Sequence, residues 1–313
     1  MKKIKRMTCG LLPLLAGAAV LIEHYTVPNV QAVSGALPVF IGILMCGVLI
    51  LTLLSIQSSS VLNWLRDRSA WYTAIFLIFL VLDVLTQKTG IFGPPMFPST
   101  DRLLAELVLD RSILLDCAGN SLKLLFTGYF WGMLIGLLTG IPAGRSRKAR
   151  YWIAPILRVL APIPSVTWMF FVLSKSLFQG CVAMVAYSVW YPVASGIMRG
   201  ILQVDHAYIE AAQTLGASSE WKILRYVTLP SVLPCLFQGM ISGMRAACGS
   251  LMIAEMMGVE SGLAWYITWQ RGWGNFTKMY TAIVMICITF LFVDAALGLL
   301  RRRILRWEEN ADA

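Results

Sequence analysis

Apolar runs of about 20 residues, separated by short polar stretches, fill most of the chain. A hydrocarbon core about 30 Å thick takes roughly 20 helical residues at about 1.5 Å each. Eight stretches meet that length: approximately 8–27, 36–56, 70–87, 121–143, 151–173, 177–198, 232–257 and 279–300. The pattern predicts an all-α, polytopic membrane protein of about eight transmembrane helices. Glu23 and His24 shorten the first apolar run, and MKKIKR followed by Leu14 to Val20 also has the layout of a cleavable signal peptide.

The markedly polar interruption is YIEAAQTLGASSEWKILRYVTLPSVLP, residues 208–234. It is patterned as folded helix: Ile209, Ala212, Leu215 and Gly216 share one side of a first helix, and Trp221, Leu224 and Val227 one side of a second. Gly216 ends the first and the following serines cap the second, so the spacing predicts helix, turn, helix. Leu229-Pro230 and Pro234 then open the seventh span. Residues 88–118 are the other long polar segment. Leu103, Leu104, Leu107, Leu114 and Leu115 stand between charges there, as in a helix at an interface or one packed on the protein surface.

Within the spans, small residues and prolines carry further information. Gly128, Gly132, Gly136, Gly140 and Gly144 recur every four residues, and Gly239, Gly243 and Ala247 repeat the device. Such rows let helix backbones approach closely, so both are read as packing surfaces. Pro155, Pro162, Pro164 and Pro192 remove helical hydrogen bonds at membrane depth. Around 161–165 this leaves either a packing kink or a broken helix lining a translocation path, with Pro162, Ile163, Pro164, Ser165 and Trp168 as the path residues. Ionisable residues in spans are Asp83, Arg158, Arg245, Glu255 and Asp294. The spacing from the span ends predicts that Asp83, Glu255 and Arg158 snorkel to the rims and that Arg245 and Asp294 meet as an ion pair.

Composition agrees with this picture and excludes other classes. The chain has 58% hydrophobic and 13% charged residues, with a mean hydropathy of +0.72. The formal charge of +10 does not mark a nucleic-acid binder, because Lys and Arg fall between apolar spans. With the N-terminus inside, the inner loops hold Lys2, Lys3, Lys5, Arg6, Arg66, Arg68, Arg145, Arg147, Lys148, Arg150, Arg199, Lys222, Arg225, Arg301, Arg302, Arg303 and Arg306, 17 of the 26 basic residues. That bias puts both termini and the 208–230 stretch in the cytoplasm. Seven cysteines without a C-x-x-C pair read as free thiols, and two histidines are too few for a His/Cys metal site. No membrane-embedded base or acid pair suits catalysis, so no catalytic residue and no metal site is predicted.

At this point the chain resembles the permease subunits of binding-protein-dependent ATP-binding cassette importers. The residues that carry the likeness are Glu210-Ala211-Ala212, Gly216 four residues on, and Val227-Thr228-Leu229-Pro230. FPST at 97–100, Ile163-Pro164, AEMMG at 254–258, Gly262-Leu263 and RRRILRW at 301–307 extend it, most closely to the nitrate, sulfonate and taurine branch. The resemblance implies a type I importer permease core over 70–307 with a coupling loop at 200–230. Residues 1–69 are then two additional helices and 308–313 a short cytoplasmic tail. It implies that Glu210, Ala211, Ala212, Leu215 and Gly216 meet a cytoplasmic ATPase subunit, which binds ATP and Mg while this chain binds no cofactor. It further implies a homodimer in the bacterial inner membrane, an external substrate-binding protein, and a small anionic or nitrogen- or sulfur-containing solute. An ion-coupled secondary transporter is the alternative. Pro230 lies 14 residues after Gly216, one more than is usual in the family, which places a local shift in the second short helix.

Overall fold

A computed structural model describes residues 2–168, 177–217 and 219–305, and all regular elements among them are helices. In order they are α1 (Lys2–Thr26), α2 (Ala36–Gln57), α3 (Ser59–Asp83), α4 (Thr100–Leu109), α5 (Arg111–Arg145), α6 (Arg147–Leu160), α7 (Leu177–Leu202), α8 (His206–Thr214), α9 (Glu220–Ile223), α10 (Leu229–Gly258), α11 (Leu263–Gly272) and α12 (Phe276–Ile304). Two π-helical turns, Val84–Lys88 and Leu224–Thr228, follow α3 and α9.

Six helical stretches among the described residues are long and apolar enough to cross a membrane: Ala36–Ser55, Val61–Lys88, Arg111–Arg145, Phe178–Leu202, Trp221–Gly258 and Phe276–Ile304. The first of the eight expected spans is the shorter apolar stretch Leu11–Thr26. The fifth stops at Leu160, because Pro162 and Pro164 cannot donate the next helical hydrogen bonds. Its continuation beyond Trp168 lies outside the described residues, as do Lys175, Arg306 and the expected tail 308–313.

The chain forms two compact units, one of residues 1–114 with 269–282 and one of 115–268 with 283–313. In the first, α1, α2 and α3 bury Val20, Leu37, Ile41, Val48 and Phe76. Their connections are tied by charges at helix ends. Lys88 Nζ donates to the carbonyls of His24 at 2.9 Å and Val27 at 2.8 Å, satisfying the C-terminus of α1. Asp101 accepts backbone N–H groups of Ser34, of Gly35 at 3.2 Å and of Leu37 at 2.8 Å, satisfying the start of α2. A cation at one helix C-terminus and an anion at the next N-terminus both complement the helix dipoles. Burial works to raise the Asp101 pKa, but the three backbone donors outweigh it and hold the carboxyl below its ordinary range.

Two expectations change here. Asp83 does not snorkel: it is fully buried, with His24 Nδ1 at 3.0 Å from its Oδ2. A carboxylate inside an apolar helix cluster is costly alone, and α1 supplies the polar partner. The 88–118 segment splits at Asp110. Leu104 packs on the core of this unit, and Lys278 bridges Asp110 at 2.7 Å and Glu106 at 3.3 Å, so α4 is a packed helix. Residues from Arg111 onward begin the long helix α5 instead.

In the second unit α7 runs between α5 and α10, with Val185, Val189, Val193 and Ile197 buried. The glycine row of α5 makes this possible. A Cβ at Gly132 would stand 2.4 Å from the Ala186 carbonyl oxygen, and one at Gly128, Gly136, Gly140 or Gly144 within 2.8 Å of Val185, Val193, Ala194 or Ile201. On the other side, a Cβ at Gly239 would lie 2.8 Å from the Pro192 oxygen, and one at Gly243 3.3 Å from Val189. Glycine therefore sets the helix separation on both flanks of α7.

Candidate functional site

The polar interruption is a helical excursion from the helix bundle of the second unit. Asp205 caps α8, its Oδ1 accepting from Ala207 N at 3.0 Å. At the other end Ala217 N bonds Ala212 O at 2.9 Å and Gly216 N bonds Gln213 O at 3.1 Å, the two hydrogen bonds of a Schellman motif. Gly216 has φ +92°, a left-handed geometry that an L side chain would strain by roughly 1–2 kcal/mol. After the turn, Ile223 N bonds Ser219 O at 3.1 Å and α9 begins.

The helix then loosens for one turn and tightens again. Leu229 N bonds Leu224 O, a five-residue step, before Pro230 enters the first turn of α10. A π turn takes up one residue more than an α turn does. This turn lies between the Gly216 turn and Pro230.

The loop has an inward and an outward face. Ile209, Ile223, Leu224 and Thr228 line a cavity of about 340 Å³ together with Ile141 and Ile201 of α5 and α7. Glu210 and Ala211 are exposed and Ala212 is half-buried. Leu215, expected among the residues that meet a partner, is 88% exposed, at the capping position where the chain leaves the helix. Tyr208 and Tyr226 are likewise largely exposed, as is Trp221, which also borders an apolar cavity with Leu137 and Ile197. Four large apolar or aromatic side chains of the loop are thus largely exposed.

The proline-broken segment after α6 is held differently. Pro164 cannot donate to Leu160 O, and that carbonyl instead accepts from Ile163 N at 3.0 Å and from the hydroxyl of Tyr187 on α7. Satisfying the freed carbonyl from a neighbouring helix is what makes the break tolerable in a membrane. Ser165 Oγ lies 2.8 Å from Ser250 Oγ of α10, and the Trp168 ring lies 5.2 Å from that of Tyr187. Pro162 and Pro164 are exposed, and Ile163, Ser165 and Trp168 half-buried.

Glu255 departs from its expected place, whereas Arg245 and Asp294 keep theirs. Glu255 is 2% exposed, not snorkelling. Its Oε2 accepts Ala264 N at 2.9 Å at the start of α11, while Ser121 Oγ accepts Leu263 N at 2.9 Å. Gly262 at φ +144° leaves room for the carboxylate, since a Cβ would come 2.5 Å from Glu255 Cδ. A buried carboxylate at a helix N-terminus is stabilised by orphan backbone donors. Arg245 and Asp294 do pair as expected, with Nε 3.7 Å from Oδ1, but both stay largely exposed, at 72% and 57%.

Comparison with known proteins gives this geometry a context. Residues 132–306 match the family described as binding-protein-dependent transport system inner membrane component. A protein of Bacillus subtilis strain 168 named as an aliphatic sulfonates transport permease, SsuC, is 28% identical over 252 residues, 78% of this chain and 91% of that protein. The taurine transport system permease TauC of Escherichia coli K12 is 26% identical over 242 residues, 74% and 86% of the two chains. Among solved structures, a chain of the inward-facing MetNI methionine ABC transporter superposes with a TM-score of 0.54 at 22% identity, covering 62% of this chain and 97% of that one. At that identity the likeness establishes a shared fold.

Proposed function

The chain belongs to the family of binding-protein-dependent transport system inner membrane components, and from that premise we infer that its 205–228 loop is where an ATPase subunit drives the transport cycle. The permease performs no chemistry itself. Two cytoplasmic ATPase subunits, which hold ATP and Mg, seat the Glu210 to Gly216 element, and their closure moves α7 and α10. The single observation that carries this reading is that Tyr208, Leu215, Trp221 and Tyr226, all on the one excursion that turns at the left-handed Gly216, are largely exposed. Apolar clusters of that kind on an otherwise polar surface mark contact sites for a partner. Glu210 offers a carboxylate to partner donors.

A homodimer completes the reading. Arg245 and Asp294 lie near the middle of long helices and stay exposed in one chain. Charges at such depth face a bundle interior or a water-filled path, not lipid. A second copy enclosing a path between the two chains provides that surrounding, and the segment Pro162, Ile163, Pro164, Ser165 and Trp168 borders the same path. The basic residues then put both termini and the loop inside. An external binding protein delivers a small anion of the sulfonate or taurine kind, the solutes named for SsuC and TauC. Family membership sets aside the ion-coupled secondary carrier.

The test is Gly216→Asp. No atom lies within 4 Å of the Cβ position, so the free chain accommodates the side chain at the cost of backbone strain alone. The expected result is a normal amount of permease in the membrane, with uptake and solute-stimulated ATP hydrolysis lost. Uptake at the wild-type rate would overturn the assignment.

A further inference from the structure

One groove in the second unit is absorbed by neither the loop nor the proline break. It lies between α7 and α10 and encloses about 420 Å³. Its floor is backbone: Gly196 approaches the Cys235 carbonyl, and Gly239 approaches that of Pro192, so close that a Cβ on either would stand within 3 Å. The two helices touch there, and the side chains of the next turns form walls.

Those walls are rich in hydrogen-bond donors. Arg199 Nε donates to Ser195 O at 3.2 Å, which fixes the guanidinium and leaves its terminal N–H groups free to donate. Gln203 accepts from Cys235 Sγ through Oε1 at 3.6 Å, which leaves its amide N–H₂ as donor. Gln238 and the Ser242 hydroxyl also line it, beside the ring of Tyr191 and Pro192. No acidic side chain lines the groove, and among the described residues no carboxylate pairs with Arg199. A cation here would meet only a like charge. An oxyanion would meet one fixed positive charge and convergent N–H and O–H groups, the arrangement that recognises planar or tetrahedral oxygens.

The position on the helix points to a solute path. Gln238, Ser242 and Arg245 follow at intervals of four and three, on one face of α10, and all are exposed. A polar face of that length on a membrane-spanning helix borders water or protein.

We propose that this groove is a binding site for a small oxyanion within the permease, with Arg199 as the charge that holds the solute and Gln203, Gln238 and Ser242 as its orienting donors. It rests on the reading of the chain as an anion importer and adds to it the residues that make the path anion-selective. The site has room for a small organic sulfonate and several waters, at about 30 Å³ per water.

Cys235 in the wall provides a readout independent of transport. In full-length permease with its other cysteines changed to alanine, in phosphatidylcholine nanodiscs, labelling of Cys235 is timed with an anionic and with a cationic methanethiosulfonate. Arg199→Gln should lower the anionic-to-cationic rate ratio by about tenfold or more, and Arg199→Lys should preserve it. Ethanesulfonate should protect Cys235 in the wild type and not in Arg199→Gln. An unchanged ratio, or protection by phosphatidylglycerol added to the nanodisc but not by ethanesulfonate, would overturn the site, the latter by giving it to a lipid headgroup. In the assembled importer, Arg199→Gln should raise KM for the solute. ATP-driven uptake with KM unaltered would sink the site and leave the importer reading intact. Loss of the labelling ratio in a chain that supports no ATP-driven anion uptake would keep the site and sink the importer reading.

Discussion

Replacing Gly132 by alanine adds one methyl group at the closest helix contact in the protein's second unit. The new Cβ would lie 2.4 Å from Ala186 O and 2.7 Å from Val189 Cβ, and ordinary contact begins near 3.4 Å. The helices α5 and α7 must therefore separate locally by about 1 Å, which is the difference between 3.4 and 2.4. Such a gap forfeits roughly a quarter to a half of each neighbouring dispersion contact, including those at Gly128 and Gly136. Overpacking of this kind costs about 1–3 kcal/mol, against a gain of up to about 1 kcal/mol from alanine's helix preference. The net loss is on the order of 1–2 kcal/mol. Gly119→Ala on the same helix is the control, because nothing lies within 4 Å of its Cβ position and only the helix gain applies. Thermal unfolding of the purified permease in one detergent should put Gly132→Ala below wild type and Gly119→Ala level with or above it. Equal midpoints for the two variants would refute the claim that glycine sets the spacing.

Asp101→Asn should destabilise the first unit by about 1–3 kcal/mol at neutral pH by weakening the charge-assisted bonds to Ser34, Gly35 and Leu37. The folded-state pKa of Asp101 is depressed, so its contribution is complete above the unfolded value near 3.9 and lost as pH falls through the folded value. Amide exchange at residues 34–37 in the two proteins should therefore start to converge below about pH 4 and meet only once pH lies below the depressed folded-state pKa; a gap that persists when Asp101 is fully protonated would show that the charge is not responsible. For the Arg245 and Asp294 pair, Arg245→Asp alone should lower the amount of permease in the membrane and Asp294→Arg added to it should restore much of that amount. Failure of the double variant to exceed either single variant would show that the 3.7 Å approach carries no coupling.

The helical class and most spans were legible because bilayer thickness imposes a length that composition shows directly. The loop was legible because Gly216, the serines after it and Pro230 are local signals, each acting within a few residues of itself. Arg245 and Asp294 could be paired from depth alone, since both sit far from span ends. What escaped were partnerships made across the fold. Nothing near Asp83 in sequence announces His24, 59 residues away, and nothing near Glu255 announces that α11 begins against its carboxylate. Hydrophobic periodicity grouped Leu215 with Ile209 and Ala212 because it assumes the helix continues, whereas Leu215 is the capping residue and stands exposed while those two are half-buried. The anion groove was hidden for a related reason: Arg199 reads as an inner-loop charge until α10 is laid beside it.

The π turn at Leu224–Thr228 matters for torsion as well as for length. In an unbroken α-helix one inserted residue advances the helix by about 1.5 Å and rotates everything before it by about 100°. Such a rotation would carry Trp221 and the Gly216 turn a quarter of the way round the axis of α10, away from whatever they face. Absorbed as a π turn, the same residue leaves the two ends of the junction in phase. A π turn at this junction thus holds one residue more than an α turn without turning α8 and the Gly216 turn about the axis of α10.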